Sequence, residues 1–242
     1  MRINKYLAET GTCSRREADQ WIAAGRVTVD GTQAVLGTQV SEGAVVLVDG
    51  RPLPDKPRRV YLALNKPMGI ECTTDRDVPG NIVDFVGHRE RVFPIGRLDK
   101  DSEGLILLTN DGDIVNTILR AENEHEKEYV VAVDRPLTPA FLAGLASGVP
   151  ILDTVTNPCK VTQVGRNTFR IVLTQGLNRQ IRRMCEHFDY TVRRLQRVRI
   201  MHVRLGDLPV GKWRDLTADE LRGLVASRTT LSLRPRARRP GS

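Results

Sequence analysis

Aromatic side chains make up only 5% of the 242 residues, and no stretch approaches the run of about 18 apolar residues needed to cross a bilayer. The opening "MRINKYLAETG" lacks the apolar core of a secretion signal, so a cytoplasmic protein that binds no membrane is expected. Cysteine is sparse. Cys13, Cys72, Cys159 and Cys185 stand far apart with no Cys-x-x-Cys pair, so spacing supports neither a zinc site nor a redox pair, and reduced structural thiols are expected. His88, His125, His187 and His202 are equally scattered. The sequence also has no phosphate-binding P-loop, no Gly-x-Gly-x-x-Gly fingerprint, no His-Glu-x-x-His, and no serine or cysteine in a recognisable nucleophile elbow. Cofactor-dependent and metal-dependent reactions thereby lose support.

Positive charge is abundant. The formal net charge is +8, which favours a polyanionic partner, because lysine and arginine displace counterions from a phosphate backbone without reading its sequence. With 40% hydrophobic residues the chain is otherwise of ordinary globular composition, long enough for one large and one small domain.

Residues 1–49 read as a small αα-β unit. Ile3, Tyr6 and Leu7 have helical spacing, and Ser14 with Glu17 forms a capping box for a second helix whose apolar face is Ala18, Trp21 and Ile22. Gly25 stops that helix, and Asp30-Gly31 marks a hairpin among short strands. Arg2, Lys5, Arg15 and Arg16 point outward, with Arg26 just beyond; charge spacing alone favours a plain solvated helix face. As a whole, "RINKYLAETGTCSRREADQWIAAGRVTVDG" resembles the S4-like RNA-binding module, and the resemblance implies that these five cations lie against RNA phosphates. Residues 50–59, "GRPLPDKPRR", read as a linker.

Residues 60–227 read as a larger domain. "VYLALNKP" and "LILLT" have the continuous apolar character of strands buried on both faces, and "EYVVAV" and "FRIVLT" supply further strands. Helices are expected after Asn110-Asp111-Gly112, after Thr138-Pro139, from Arg179 to Phe188, and after a second capping box at Thr217–Glu220. Without strict βαβ alternation the fold class is α+β, with a mixed, largely antiparallel sheet flanked by helices. Residues 228–242, "RTTLSLRPRARRPGS", read as a basic tail, disordered until it meets a polyanion.

What chemistry remains centres on "GRLDKDSEGLILLTNDG". A lone aspartate, Asp99, sits in a glycine-bounded turn before a buried strand, in a chain whose charge would favour arginine there. An arginine nearby keeps a carboxylate ionised, and an ionised carboxylate serves as nucleophile or base without a cofactor. Tyr129, in "HEKEYVV", offers a ring for stacking on a base drawn out of an RNA helix, and "QGLNRQIRRM" offers cations. The same residues also have plain structural readings: Asp99 tying up turn amides, Tyr129 in a core, Arg182 as a surface charge.

"KPMG" at 66–69, "GRLDKDSEGLILLTNDG" at 96–112, "KEY" at 127–129 and "GLNRQIRRM" at 176–184 resemble, in order, the motifs of the RsuA/RluB/RluE/RluF family of pseudouridine synthases, and "ENEHEKEYVVAVDRPLT", "GVPILDTVTNPCKV" and "LNRQIRRMCEHFDYTVRRLQRVRIMHVRLGDLPVGKWRDL" resemble its RluF branch. The resemblance implies isomerisation of a uridine to pseudouridine in 23S rRNA, with an anticodon uridine of tyrosine tRNA as a further target. It implies no cofactor and no metal, and a monomer acting on RNA. By that resemblance Asp99 is the essential nucleophile or base, Tyr129 stacks on the flipped uracil, Arg182 pairs with Asp99, and Ile181 lines the pocket. Arg179, Arg183 and Lys66 lie near RNA, and Arg97 enters the RNA stack. A shorter basic tail than the branch carries leaves in doubt the affinity that a longer one would lend. The competing expectations are a non-catalytic S4-type ribosome-assembly factor and a synthase acting at another rRNA site.

Overall fold

A computed structural model of the chain describes residues 1–119 and 125–231. It divides into two compact units, the first comprising Met1–Val60 with Gly87–Val92 and Thr109–Gly112, the second the remainder.

In the first unit α1 (Ile3–Glu9) and α2 (Arg15–Ala23) precede β1 (Val27–Val29), β2 (Thr32–Gln33), β3 (Val46–Val48) and β4 (Arg51–Pro52), an antiparallel sheet in the order β2-β1-β3-β4. Ile3, Leu7, Ala18 and Ile22 join Val27 of β1 in its core because helical spacing puts those four on facing sides of the two helices. Asp30 and Gly31, both with positive φ, make the two-residue turn that brings Val29 opposite Thr32. Residues 50–59, expected as a linker, are mostly exposed and irregular beyond Pro52, with three ties to this unit. Arg51–Pro52 add a strand to the sheet, Leu53 lies on the core, and the Lys56 ammonium reaches Glu9 at 2.7 Å.

The capping box at α2 is complete, Glu17 N–H donating to Ser14 Oγ at 3.1 Å and Ser14 N–H donating to the Glu17 carboxylate at 2.6 Å. The hydrogen bonds from Ser14, with Arg91 adding its charge, hold the Glu17 carboxyl down to about 2. An unfolded glutamate takes up its proton near ~4.3, so the unfolded chain binds that proton first as pH falls. The stabilisation is therefore complete above the unfolded value and is lost as pH falls towards 2. Comparing urea unfolding of the wild type with Glu17→Gln across this range should show a difference at neutral pH that closes at the acid end. A difference independent of pH would contradict this account of the cap.

In the second unit the order is β5 (Tyr61–Lys66), α3 (Ile82–Val86), β6 (Phe93–Ile95), β7 (Glu103–Thr109), α4 (Gly112–Leu119), β8 (Lys127–Val133), α5 (Pro139–Ser147), β9 (Pro150–Ile151), β10 (Thr154–Val155), β11 (Lys160–Gln163), β12 (Thr168–Leu173), α6 (Gln180–Glu186), β13 (Val192–Ile200), β14 (Val203–Arg204), β15 (Trp213–Asp215) and α7 (Ala218–Leu231). A nine-stranded sheet runs β11-β12-β8-β13-β7-β5-β15, with β14 beside β13 and β6 beside β7. Its β13–β7 pair is parallel, whereas β11–β12, β12–β8, β8–β13 and β5–β15 are antiparallel. The fold is thus α+β with a mixed sheet.

Every residue of β7 is buried, as its unbroken apolar run requires. Leu105 and Leu107 pack with Ile114, Ile118 and Leu224 from α4 and α7. A separate cluster joins β8 and β12 to α5 and α6 through Val131, Phe141, Leu145, Phe169 and Met184. Strand β13, for which the sequence offered no apolar signature, lies mid-sheet between β8 and β7. The expected tail begins inside α7, which continues helical to Leu231; residues 232–242 lie outside those described. No helix among the described residues is long and apolar enough to cross a membrane.

Burial pushes the thiols of Cys159 and Cys185 up to about 11 and about 12, so both are protonated at neutral pH and poor nucleophiles. All four cysteines are free, as the spacing indicated.

Candidate active site

Asp99 stands on the turn that joins β6 to β7. That turn is fastened at several backbone groups. Ser102 N–H donates to Asp99 O at 3.0 Å, Gly69 N–H to Lys100 O at 2.7 Å, and Leu98 N–H to Cys72 Sγ at 3.3 Å. Arg197, from β13, donates through Nη1 to Arg97 O at 3.4 Å and through Nε to Leu105 O at 2.7 Å. Much of the turn is thus held through its backbone, while the Asp99 side chain is left 40% exposed.

The carboxylate opens on a cavity of about 600 Å³, within the range usual for small-molecule sites, which Asp99 shares with Arg97, Tyr129, Arg179, Ile181 and Arg182. Six residues singled out from sequence, drawn from the β6–β7 turn, β8 and α6, thus meet around one space. Tyr129 reaches it from β8, half-buried, and Ile181 from α6, buried.

The ion pairs differ from those expected. The cation nearest Asp99 is Arg179, whose Nη1 lies 3.8 Å from Asp99 Oδ2; Arg182 instead bonds Asp101 O through Nη2 at 2.8 Å, with Nε 3.4 Å from Asp101 Oδ2. The cause is backbone conformation. Arg179 precedes α6 with φ 48° and ψ 34°, a left-handed geometry that a branched or long side chain rarely adopts, and this turns its guanidinium towards the β6–β7 turn. There it forms a fork with both oxygens of Asp101, at 3.2 and 3.1 Å. Asp101 is thus a hub between two arginines. Burial works against its charge, yet the hydrogen bond from Arg179 and the charges of both arginines hold its carboxyl below the ordinary range. Its signal in the sequence was the repeated acid of "DKD" facing an arginine-rich helix. With Arg179 and Asp99 each about 40% exposed, their pair contributes at most about 1 kcal/mol as it stands. The pairing of Arg182 with Asp99 expected from the sequence is replaced by this exposed contact from Arg179.

Two further residues part from expectation. Lys66 was placed against RNA, but it is fully buried, with Nζ donating to Pro67 O and Ile70 O, both at 2.9 Å. It ties the turn after β5 from within and cannot face a phosphate. Burial pulls its ammonium below the ordinary lysine range, with Cys72, Asp101 and Asp99 acting in the opposite direction. Arg183 folds back on Asn178, through Nε to its carbonyl at 3.1 Å and Nη2 to its side chain at 3.3 Å. In the first unit Arg2, Arg15 and Arg16 are exposed. Lys5 lies 3.6 Å from Glu9, and Arg26 is forked onto Asp49 while lying over the Trp21 ring, so part of their charge is met locally.

The RNA pseudouridylate synthase family matches residues 60–187, and the S4 domain matches residues 1–52. A dual-specificity RNA pseudouridine synthase RluF of Escherichia coli (strain K12) is 55% identical, covering 98% of this chain and 83% of that relative. A ribosomal large subunit pseudouridine synthase B of Bacillus subtilis (strain 168) is 34% identical, over 93% of this chain and 96% of its own. A crystal structure of a pseudouridylate synthase superposes with a TM-score of 0.69 at 29% identity, covering 93% of this chain and all of the other. With its cavity built from the very motifs that family matches, the chain belongs to the RNA pseudouridylate synthases and carries an S4 domain.

Proposed function

We propose that the protein isomerises a uridine of 23S rRNA, and also an anticodon uridine of tyrosine tRNA, with Asp99 as its essential group and no cofactor. The observation that carries this reading is Asp99 itself: the turn that bears it is held at several backbone groups, and its carboxylate faces a cavity shared with Tyr129 and Arg179. Support for the targets comes from the two relatives named above.

The change in the nucleoside balances without any external reactant. The N1–C1′ bond breaks, the uracil turns within the pocket, and C5–C1′ forms; C5 gives up its proton and N1 acquires one. Asp99, as nucleophile or base at the ribose, opens the sequence. Tyr129 provides the surface on which the extruded base lies while it turns, and it stands ready to help remove the C5 proton. Ile181 supplies apolar wall, and Arg97, exposed at the rim, is placed to fill the gap left in the RNA stack. RNA bound over the cavity would exclude water, so the weak Arg179–Asp99 pair would strengthen when the substrate arrives.

Pseudouridine mapping in rRNA and tRNA from cells lacking the protein tests the reading. One or a few modified positions in the large subunit, and one in a tRNA, should disappear and return with the wild-type protein but not with Asp99→Asn. Loss of no modification would favour an RNA-binding assembly factor, and loss confined to the small subunit would favour a synthase at another site.

A further inference from the structure

We propose that Arg197 is a positioning residue for this reaction, acting through an unpaired positive charge behind the pocket; the proposal rests on the assignment of Asp99 made above. Arg197 is 4% exposed and lies along the wall of the Asp99 cavity. Buried guanidinium groups are ordinarily paired, because a desolvated charge without a counter-charge is costly. No carboxylate among the described residues lies within 4.0 Å of this one, and its Nη2 has no hydrogen-bond partner. The other cations that feel its charge, Lys66 and Lys127, are themselves buried enough for desolvation to disfavour their ammonium forms.

Two features show that the fold is built around it. Its Nη1 and Nε hold Arg97 O and Leu105 O, the carbonyls on either side of the turn that carries Asp99. On the parallel partner strand, its register neighbour is Gly104, where a Cβ would lie 2.3 Å from Arg197 O, so β7 forgoes a side chain to let this residue approach.

A cation left without a counter-charge beside a cavity is suited to an anion that exists only briefly. When N1–C1′ breaks, its electron pair leaves with the base, and the negative charge spreads over N1, O2 and O4 of the uracil. The charge of Arg197 faces that species through a low-dielectric wall and needs no rearrangement at the moment of reaction. In the same geometry its two bonds fix where Asp99 stands relative to the ribose.

The test is single-turnover isomerisation at saturating protein, with RNA affinity measured in parallel, for Arg197→Gln and Arg197→Lys. Glutamine keeps a donor and loses the charge; lysine keeps the charge and loses the fork. The rate for Arg197→Gln should fall by about 100-fold, and Arg197→Lys should recover at least about tenfold of that. RNA affinity should stay within about threefold for both, since no phosphate contact is removed. Equal losses in the two variants, an unchanged rate, or an affinity loss matching the rate loss would each overturn the proposal. If Arg197→Gln does not fold, Arg197→Lys decides alone: a rate as low as that of Asp99→Asn would overturn it, and a rate within about tenfold of wild type would support it. An active Asp99→Asn protein would overturn the underlying assignment instead.

Discussion

Asp99→Asn is expected to bind its RNA as the wild type does and to lose at least about 10³-fold in single-turnover rate, read as release of tritium from uracil C5. Each half of that statement has its own cause. Asparagine has the shape of aspartate, the side chain is 40% exposed, and its ion pair with Arg179 stands at 3.8 Å, so the exchange leaves neither a cavity nor a buried orphan charge. The turn is held by backbone groups of Arg97, Leu98, Asp99 and Lys100, none of which the exchange touches. RNA affinity arises from cations elsewhere, and removing one negative charge from the cleft would raise it slightly if anything. The rate depends on the carboxylate alone, because a carboxamide at pH 7 neither attacks a sugar carbon nor takes a proton from it. A residual rate within about tenfold of the wild type would move the chemistry to another group.

Gly104→Ala is expected to have the largest effect on stability, at least about 3 kcal/mol, read from the urea midpoint of the full chain. Gly104 has φ +103°, which a residue with a Cβ adopts only under strain, and that Cβ would meet Arg197 O at 2.3 Å and Arg197 N at 2.7 Å. Those atoms belong to the backbone of a mid-sheet strand and cannot swing aside as the end of a side chain would. The strand pair must separate or β7 must shift, and either movement disturbs Leu105 and Leu107 in the core. Against a total stability of about 5–15 kcal/mol, such a loss leaves the domain marginal. A cost below about 1 kcal/mol would show that β13 and β7 are not so closely joined.

Most of this architecture could be read from local pattern, and the parts that could not have identifiable reasons. β7 was legible because both of its faces are buried, so apolar residues run without a break. The α2 cap was legible because a serine and a glutamate three residues apart satisfy each other locally. β13 was hidden by its cations, two of which are met across the sheet: Arg199 reaches Glu128 at 2.8 Å and Glu126 at 2.9 Å, and Arg194 reaches Glu103. Those partners lie tens of residues away, so no local window records that these two charges are paired. Lys66 was misplaced for a similar reason, since the carbonyls that hold its ammonium belong to a turn folding back over it.

Within the site, the motifs marked the right elements but not the pairing. Helical periodicity treats Arg179, Arg182 and Arg183 as positions on one regular surface. The left-handed backbone at Arg179 breaks that regularity, and Arg179 reaches both Asp101 and Asp99 while Arg182 meets only Asp101 of the two. Asp101 and Arg197 passed unnoticed because neither stands out until the turn and the strand are brought together in space.

The central claim is that the Asp99 carboxylate acts at the ribose of a uridine drawn into the cavity it shares with Tyr129. The most direct measurement is a structure of the Asp99→Asn protein bound to a uridine-containing RNA stem-loop. The account requires the uracil out of the stack, face to face with the Tyr129 ring, and its C1′ within about 3.5 Å of the residue 99 side chain. A uridine still stacked in the helix, or one bound with its ribose turned away from residue 99, would contradict it.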